Sequence, residues 1–135
     1  MRRLRRRSDR GQSLVEISLL LPLFLVIIVG LVEVADAMNT YITVTDAARD
    51  GARLGSKSAP DDAIRALIGV ETARLRDPVN TSTDVTITHT TLGSVNAIRV
   101  KVCNNRSLIL DVALIMPSSF QMCSTTTMRT LPPPP

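Results

Sequence analysis

At 135 residues with one tyrosine, two phenylalanines and no tryptophan, the chain has one domain's length but little aromatic mass for a large core or for stacking nucleobases. One histidine, His89, and two cysteines, Cys103 and Cys123, are too few for an ordinary zinc site, and no metal, cofactor or small-molecule substrate is expected. The formal net charge of +4 comes from the start: Arg2, Arg3, Arg5, Arg6, Arg7 and Arg10 face Asp9 alone, while residues 12–135 hold ten basic and eleven acidic side chains, so nucleic acid is not an expected partner.

After this basic leader, residues 1–11, an apolar run extends from Leu14 to Ala35, about 22 residues or about 33 Å as a helix, enough to cross a bilayer. Its interior, Ile17 to Val32, carries no charge. Arginines on one side only place the N-terminus in the cytoplasm and residues after about 36 outside. Val34, Ala37, Met38, Tyr41, Val44, Ala48 and Ala52 recur every three or four residues, which predicts that the helix continues as an amphipathic one to about Gly55.

Two kinds of processing fit. A basic segment, an apolar segment and Ala35-Asp36-Ala37 together resemble a secretory signal with its small-residue cleavage site. Cleavage after Ala37 would, however, cut through the predicted helix. The other cut falls before the apolar run, between Gly11 and Gln12, as in prepilin processing. Glu16 then becomes the fifth residue of the mature chain. A carboxylate inside an apolar helix is costly, and the new α-amino group, on this chain or a neighbour, supplies a cation for it. Alternatively, Glu16 marks the membrane boundary. Pro22 removes one backbone donor early in the helix and is expected to kink or locally melt that turn, either incidentally or to help helices pack in an assembly.

These residues carry a family resemblance. Arg10-Gly11-Gln12-Ser13-Leu14-Val15-Glu16, then Leu21-Pro22, then Ala47-Ala48-Arg49-Asp50-Gly51-Ala52-Arg53 resemble the TadE-like proteins of tight-adherence (Flp-type) pili. The resemblance is strong over about residues 10–55 and extends weakly to a strand-rich tail ending in Thr127-Met128-Arg129. Ile17 stands where the family usually has an aromatic residue. The resemblance implies a minor pilin-like subunit, a structural part rather than an enzyme, trimmed after Gly11 by a prepilin peptidase. Its implied partners are membrane lipid, that peptidase, and other pilin-like and pilus-assembly subunits.

Within this stretch Ala47, Gly51 and Gly55 repeat every four residues, a spacing that lets another backbone come close. Each mid-helix glycine costs roughly 1 kcal/mol against alanine, which favours a packing role. A helix fraying at Gly55 with a solvated charged face is the alternative.

Beyond the helix, Lys57 to Pro60 reads as a turn, and Pro60-Asp61-Asp62 opens a short helix to about Leu75 with Ile64, Leu67, Ile68 and Leu75 as its apolar stripe. Thr83 to Thr90 and Ala97 to Cys103 alternate as strands joined through Leu92-Gly93-Ser94, and Phe120 to Arg129 is a third. Antiparallel pairing of the last two would bring Cys103 to Cys123, as a disulfide outside the cytoplasm or as two buried thiols. Leu108 to Met116 is too short to span a bilayer and reads as core cover or as an apolar contact surface. His89 reads as an ordinary surface residue.

The expected architecture is therefore α+β: a basic leader (1–11), a long pilin-like helix (12–55, membrane span about 14–35), a small outer domain of one helix and about three antiparallel strands (56–130), and a proline-rich tail (131–135). The competing functional reading is a membrane-anchored or secreted small binding domain unrelated to pili.

Overall fold

The computed structural model describes residues 9–108 and 119–131. The arginines of residues 2–7, most of the Leu108–Met116 stretch and the prolines at 132–135 lie outside the described residues. Five elements follow one another: α1 (Asp9–Ser56), α2 (Asp61–Thr72), β1 (Val85–Leu92), β2 (Val95–Ser107) and β3 (Ser119–Arg129). The expected α+β arrangement is what the chain adopts.

The chain divides into two compact units, residues 1–35 and residues 36–135. In the first, α1 presents its apolar side chains outward all round, Leu14, Ile17, Leu20, Phe24, Ile27 and Leu31 among them. It is the one helix among the described residues long and apolar enough to cross a membrane, and none of its most apolar stretch is buried. Pro22 sits inside this helix without interrupting it. The expected melting of that turn does not occur. A single proline withdraws one donor, from the carbonyl of Ser18, and the remaining ladder holds the turn together.

In the second unit, residues after Asp36 of α1 form one layer with α2, and the sheet forms the other. The strand order is β1-β2-β3, antiparallel throughout. The core joins Val44, Ala47, Ala48 and Ala52 of α1 to Ile64 and Ile68 of α2 and to Val85, Ile98, Val100 and Val102 of the sheet. Each fully buried valine or isoleucine contributes about 1.5–3 kcal/mol by leaving water. The helical stripe read from the sequence is therefore only half right. Val44, Ala48 and Ala52 face the core, but Val34, Met38 and Tyr41 are 63%, 58% and 52% exposed. Small residues win the core face because isoleucines from α2 and β2 fill the space that larger helix side chains would need.

The short helix stops at Thr72, three residues before the expected end. Leu75 still reaches the core through a turn closed by its N–H to the Thr72 carbonyl at 3.1 Å. Leu67 is only half-buried. The first strand begins at Val85 rather than Thr83, because Thr83 and Asp84 are held in a turn by the Asn80 carbonyl at 3.2 and 2.8 Å. The β1–β2 connection is the two-residue turn Gly93-Ser94, with Leu92 paired to Val95. Gly93 has φ +66°, and Ser94 does not share the positive sign, the pattern of a type II′ hairpin in which glycine takes the first position. The second strand runs four residues past the expected Cys103, to Ser107. That extension places Asn104 and Arg106 on the core side.

Candidate functional site

The sequence singled out Gly11, Gln12, Glu16 and Pro22 as a processing and assembly site. All four lie on α1 and are exposed. A Cβ on Gly11 would meet nothing within 4 Å, so the residue faces open space. The Gln12 amide donates to Glu16 Oε1 at 3.3 Å, one helical turn away. The backbone nitrogen of Gln12, which a cut after Gly11 would convert into an ammonium, belongs to the residue four positions before that carboxylate, the spacing at which helix side chains meet.

A second constellation lies where the apolar run ends. Asp36, the residue after Ala35, accepts from Arg106 Nη2 at 2.6 Å. The Arg106 side chain is 2% exposed and that of Asp36 30%. Arg106 also donates to Thr40 Oγ1 at 3.4 Å, and its guanidinium carbon lies 6.0 Å from the centroid of the Phe120 ring, its cross-strand neighbour. A charge buried this far needs a paired, hydrogen-bonded anion, and Asp36 provides one. Beside it, Arg76 Nη1 sits 4.0 Å from the same Asp36 carboxylate, and Arg76 Nη2 donates to the Ser107 carbonyl.

Asp77 completes the group. Its Oδ2 accepts from the Ser107 N–H at 3.0 Å and the Ser107 hydroxyl at 3.1 Å, and its carbonyl accepts from Asn104 Nδ2 at 2.5 Å. The Ser107 N–H chiefly holds the Asp77 carboxyl below the usual aspartate range; partial desolvation works the other way, and the Ser107 hydroxyl and Arg76 reinforce the lowering. The end of β2 is thus tied to α1 and to the segment after α2 by a polar cluster. Sequence reasoning missed it. The signal was available: continuing the inward alternation Ile98, Val100, Val102 to 104 and 106 places an asparagine and an arginine where apolar residues are expected, and such residues require partners.

The Ala47, Gly51 and Gly55 row lies buried. What approaches it is not a second backbone but isoleucine side chains. A Cβ on Gly51 would sit 3.1 Å from Ile68 Cδ1, and one on Gly55 only 2.4 Å from Ile98 Cδ1 and 2.9 Å from Ile64 Cδ1. Cys103 and Cys123 face each other across β2 and β3 with Cα atoms 4.0 Å apart and form a disulfide. His89 is exposed, with Nε2 3.2 Å from Asp61 Oδ1. Among the described residues, no group of three or more His, Cys, Asp or Glu side chains is placed to hold a metal ion.

Elsewhere, Glu71 of α2 lines a shallow groove with Thr43, Asp46, Asp50, Val70 and Arg74. Burial chiefly, then the neighbouring Asp50 and Asp46 carboxylates, push the Glu71 carboxyl above its usual range.

The motif residues from Gly11 through Arg53 are thus one continuous helical segment, exposed over the apolar run and packed into the core of residues 36–135 thereafter. The family model described as TadE-like protein matches residues 11–53. This segment is TadE-like. No curated protein and no solved structure gave a significant match to the chain. The match takes in about a third of the chain, and the helix that carries it is exposed and is long and apolar enough to cross a membrane.

Proposed function

We propose that this protein is a minor pilin-like structural subunit of a tight-adherence pilus, made as a precursor and cut between Gly11 and Gln12 by a prepilin peptidase. The observation that carries the reading is the extent of the TadE-like match, which begins at Gly11 and takes in Glu16. In this reading the arginine leader stays in the cytoplasm, the Leu14–Ala35 run spans the membrane, and the unit from Asp36 onward lies outside. Cutting exposes an ammonium on Gln12. That cation neutralises Glu16 of its own or a neighbouring helix, which lowers the cost of holding a carboxylate among apolar side chains. Lipid covers the apolar surface before assembly, and neighbouring helices, with Pro22 shaping their approach, cover it afterwards.

One observation weighs against ordinary secretion. Cleavage after Ala37 would take away Asp36, and with it the carboxylate that the buried Arg106 holds at 2.6 Å. Losing one member of a buried pair costs several kcal/mol, so a signal peptidase would release a weakened domain. Sequencing the N-terminus of the protein purified from membranes separates the readings. A start at Gln12 is expected. A start at Met38 would identify a secreted domain, and an intact Met1 a plain anchor; either would overturn the proposal.

A further inference from the structure

The outward face of the sheet has a charge pattern that the pilin reading leaves unused. Strand alternation places Thr86, Thr88 and Thr90 of β1, Arg99 and Lys101 of β2, and Thr125, Thr127 and Arg129 of β3 on the side away from the helices. Arg99, Lys101, Arg129, Thr86, Thr88 and Thr125 are exposed. Thr88, Arg99 and Thr127 form one cross-strand row, and Thr86, Lys101 and Thr125 the next. Arg129 pairs with Ala97 and so sits diagonally beside Arg99. Each cation is thus within roughly 7–8 Å of another. None of the three strands contains an aspartate or glutamate. Among the described residues none of these cations forms an ion pair; Arg99 donates only to Thr127 Oγ1 at 3.3 Å.

Like charges side by side on a sheet repel, and nothing on these strands offsets them. An anion supplied from outside would. Guanidinium groups grip carboxylates bidentately, and flanking hydroxyls both donate and accept, as sugar hydroxyls require. These rows carry no aromatic ring on which a nucleobase could stack, and the exposed apolar pair that the same alternation places on this face, Leu92 and Val95, lies apart from the cations at the hairpin end. We propose that the outward face of β1–β3, with Arg99, Lys101 and Arg129 as its cationic line and the threonines as its flanks, binds a linear acidic polysaccharide.

The test uses the full-length chain in nonionic detergent micelles, in a background whose six leader arginines are glutamines so that the leader does not bind polyanions itself. The probe is polygalacturonate, with neutral dextran, a duplex DNA and phosphatidylglycerol vesicles as comparisons. Binding to polygalacturonate is expected, weakening as salt rises. R99Q/K101Q/R129Q should weaken it about tenfold or more, the scale of losing one or two charge-assisted contacts. R49Q/R53Q, on the exposed face of α1, should leave it unchanged. The triple variant should melt no lower than its parent, since it relieves repulsion. Lys101→Glu alone, a single exposed change, gives a second reading that does not depend on how the triple variant folds. Absent binding at low salt, affinity unchanged by both the triple variant and Lys101→Glu, or equal or tighter binding to DNA or vesicles would each overturn the proposal.

Discussion

Replacing Asp36 with alanine tests whether the end of β2 is held to α1 as described. Arg106 keeps a 2% exposed side chain and donates from Nη2 to Asp36 Oδ2 at 2.6 Å. Removing one partner of a buried pair typically costs about 3–5 kcal/mol, because the remaining charge has lost its water and its counter-ion. Asp36 is itself 30% exposed, so water can partly replace it, and we expect the lower end, about 3 kcal/mol. For a unit of this size that corresponds to a fall in melting temperature of roughly 12–24 °C. The assay is thermal and denaturant unfolding of the full chain in detergent, followed by the circular dichroism of the sheet. The double variant Asp36→Ala/Arg106→Met removes both charges and should recover at least half of the loss, since a methionine of similar reach tolerates the apolar surroundings. A loss under about 1 kcal/mol for Asp36→Ala, or no recovery in the double variant, would refute the reasoning and with it the physical argument against cleavage after Ala37.

Other perturbations probe the remaining contacts. Glu16→Ala should leave membrane insertion intact while reducing incorporation into the pilus machinery, read by co-purification; unchanged incorporation counts against an ammonium–carboxylate pairing. Gly55→Ala should lower stability by about 1 kcal/mol, because overpacking costs about 1–3 kcal/mol against a helix-propensity gain of about 1, and the two isoleucines it meets are fully buried. Replacing both Cys103 and Cys123 with serine should cost about 3 kcal/mol in unfolding experiments, for a bridge closing a separation of 20 residues. Glu71→Gln should leave stability unchanged near pH 4 and raise it slightly at pH 7, by about 0.5 kcal/mol at most after solvent screening. The Glu71 carboxyl titrates above its usual 4.5 in the folded chain, so both states are protonated below that value, and the penalty of ionising it appears only as pH rises through the higher folded value.

The sequence by itself determined the elements whose signals are local. A charge-free apolar run fixes a membrane-length helix, alternating valines and isoleucines fix β1 and β2, and Gly93 marks the hairpin. The order Gly11, Glu16, Pro22 and the Ala47–Arg53 segment carried the family resemblance, because those residues are close together in the chain. Only the tertiary structure decided which side of α1 faces the sheet. Met38 and Tyr41 fit the helical period as well as Val44 does, but burial depends on volume supplied from elsewhere, and Ile64, Ile68 and Ile98 fit against alanine and glycine. It also decided that Asp36 belongs to Arg106, 70 positions away. A buried charge selects its partner by proximity in space, and the proximity exists only once the extended β2 has folded back against the helix.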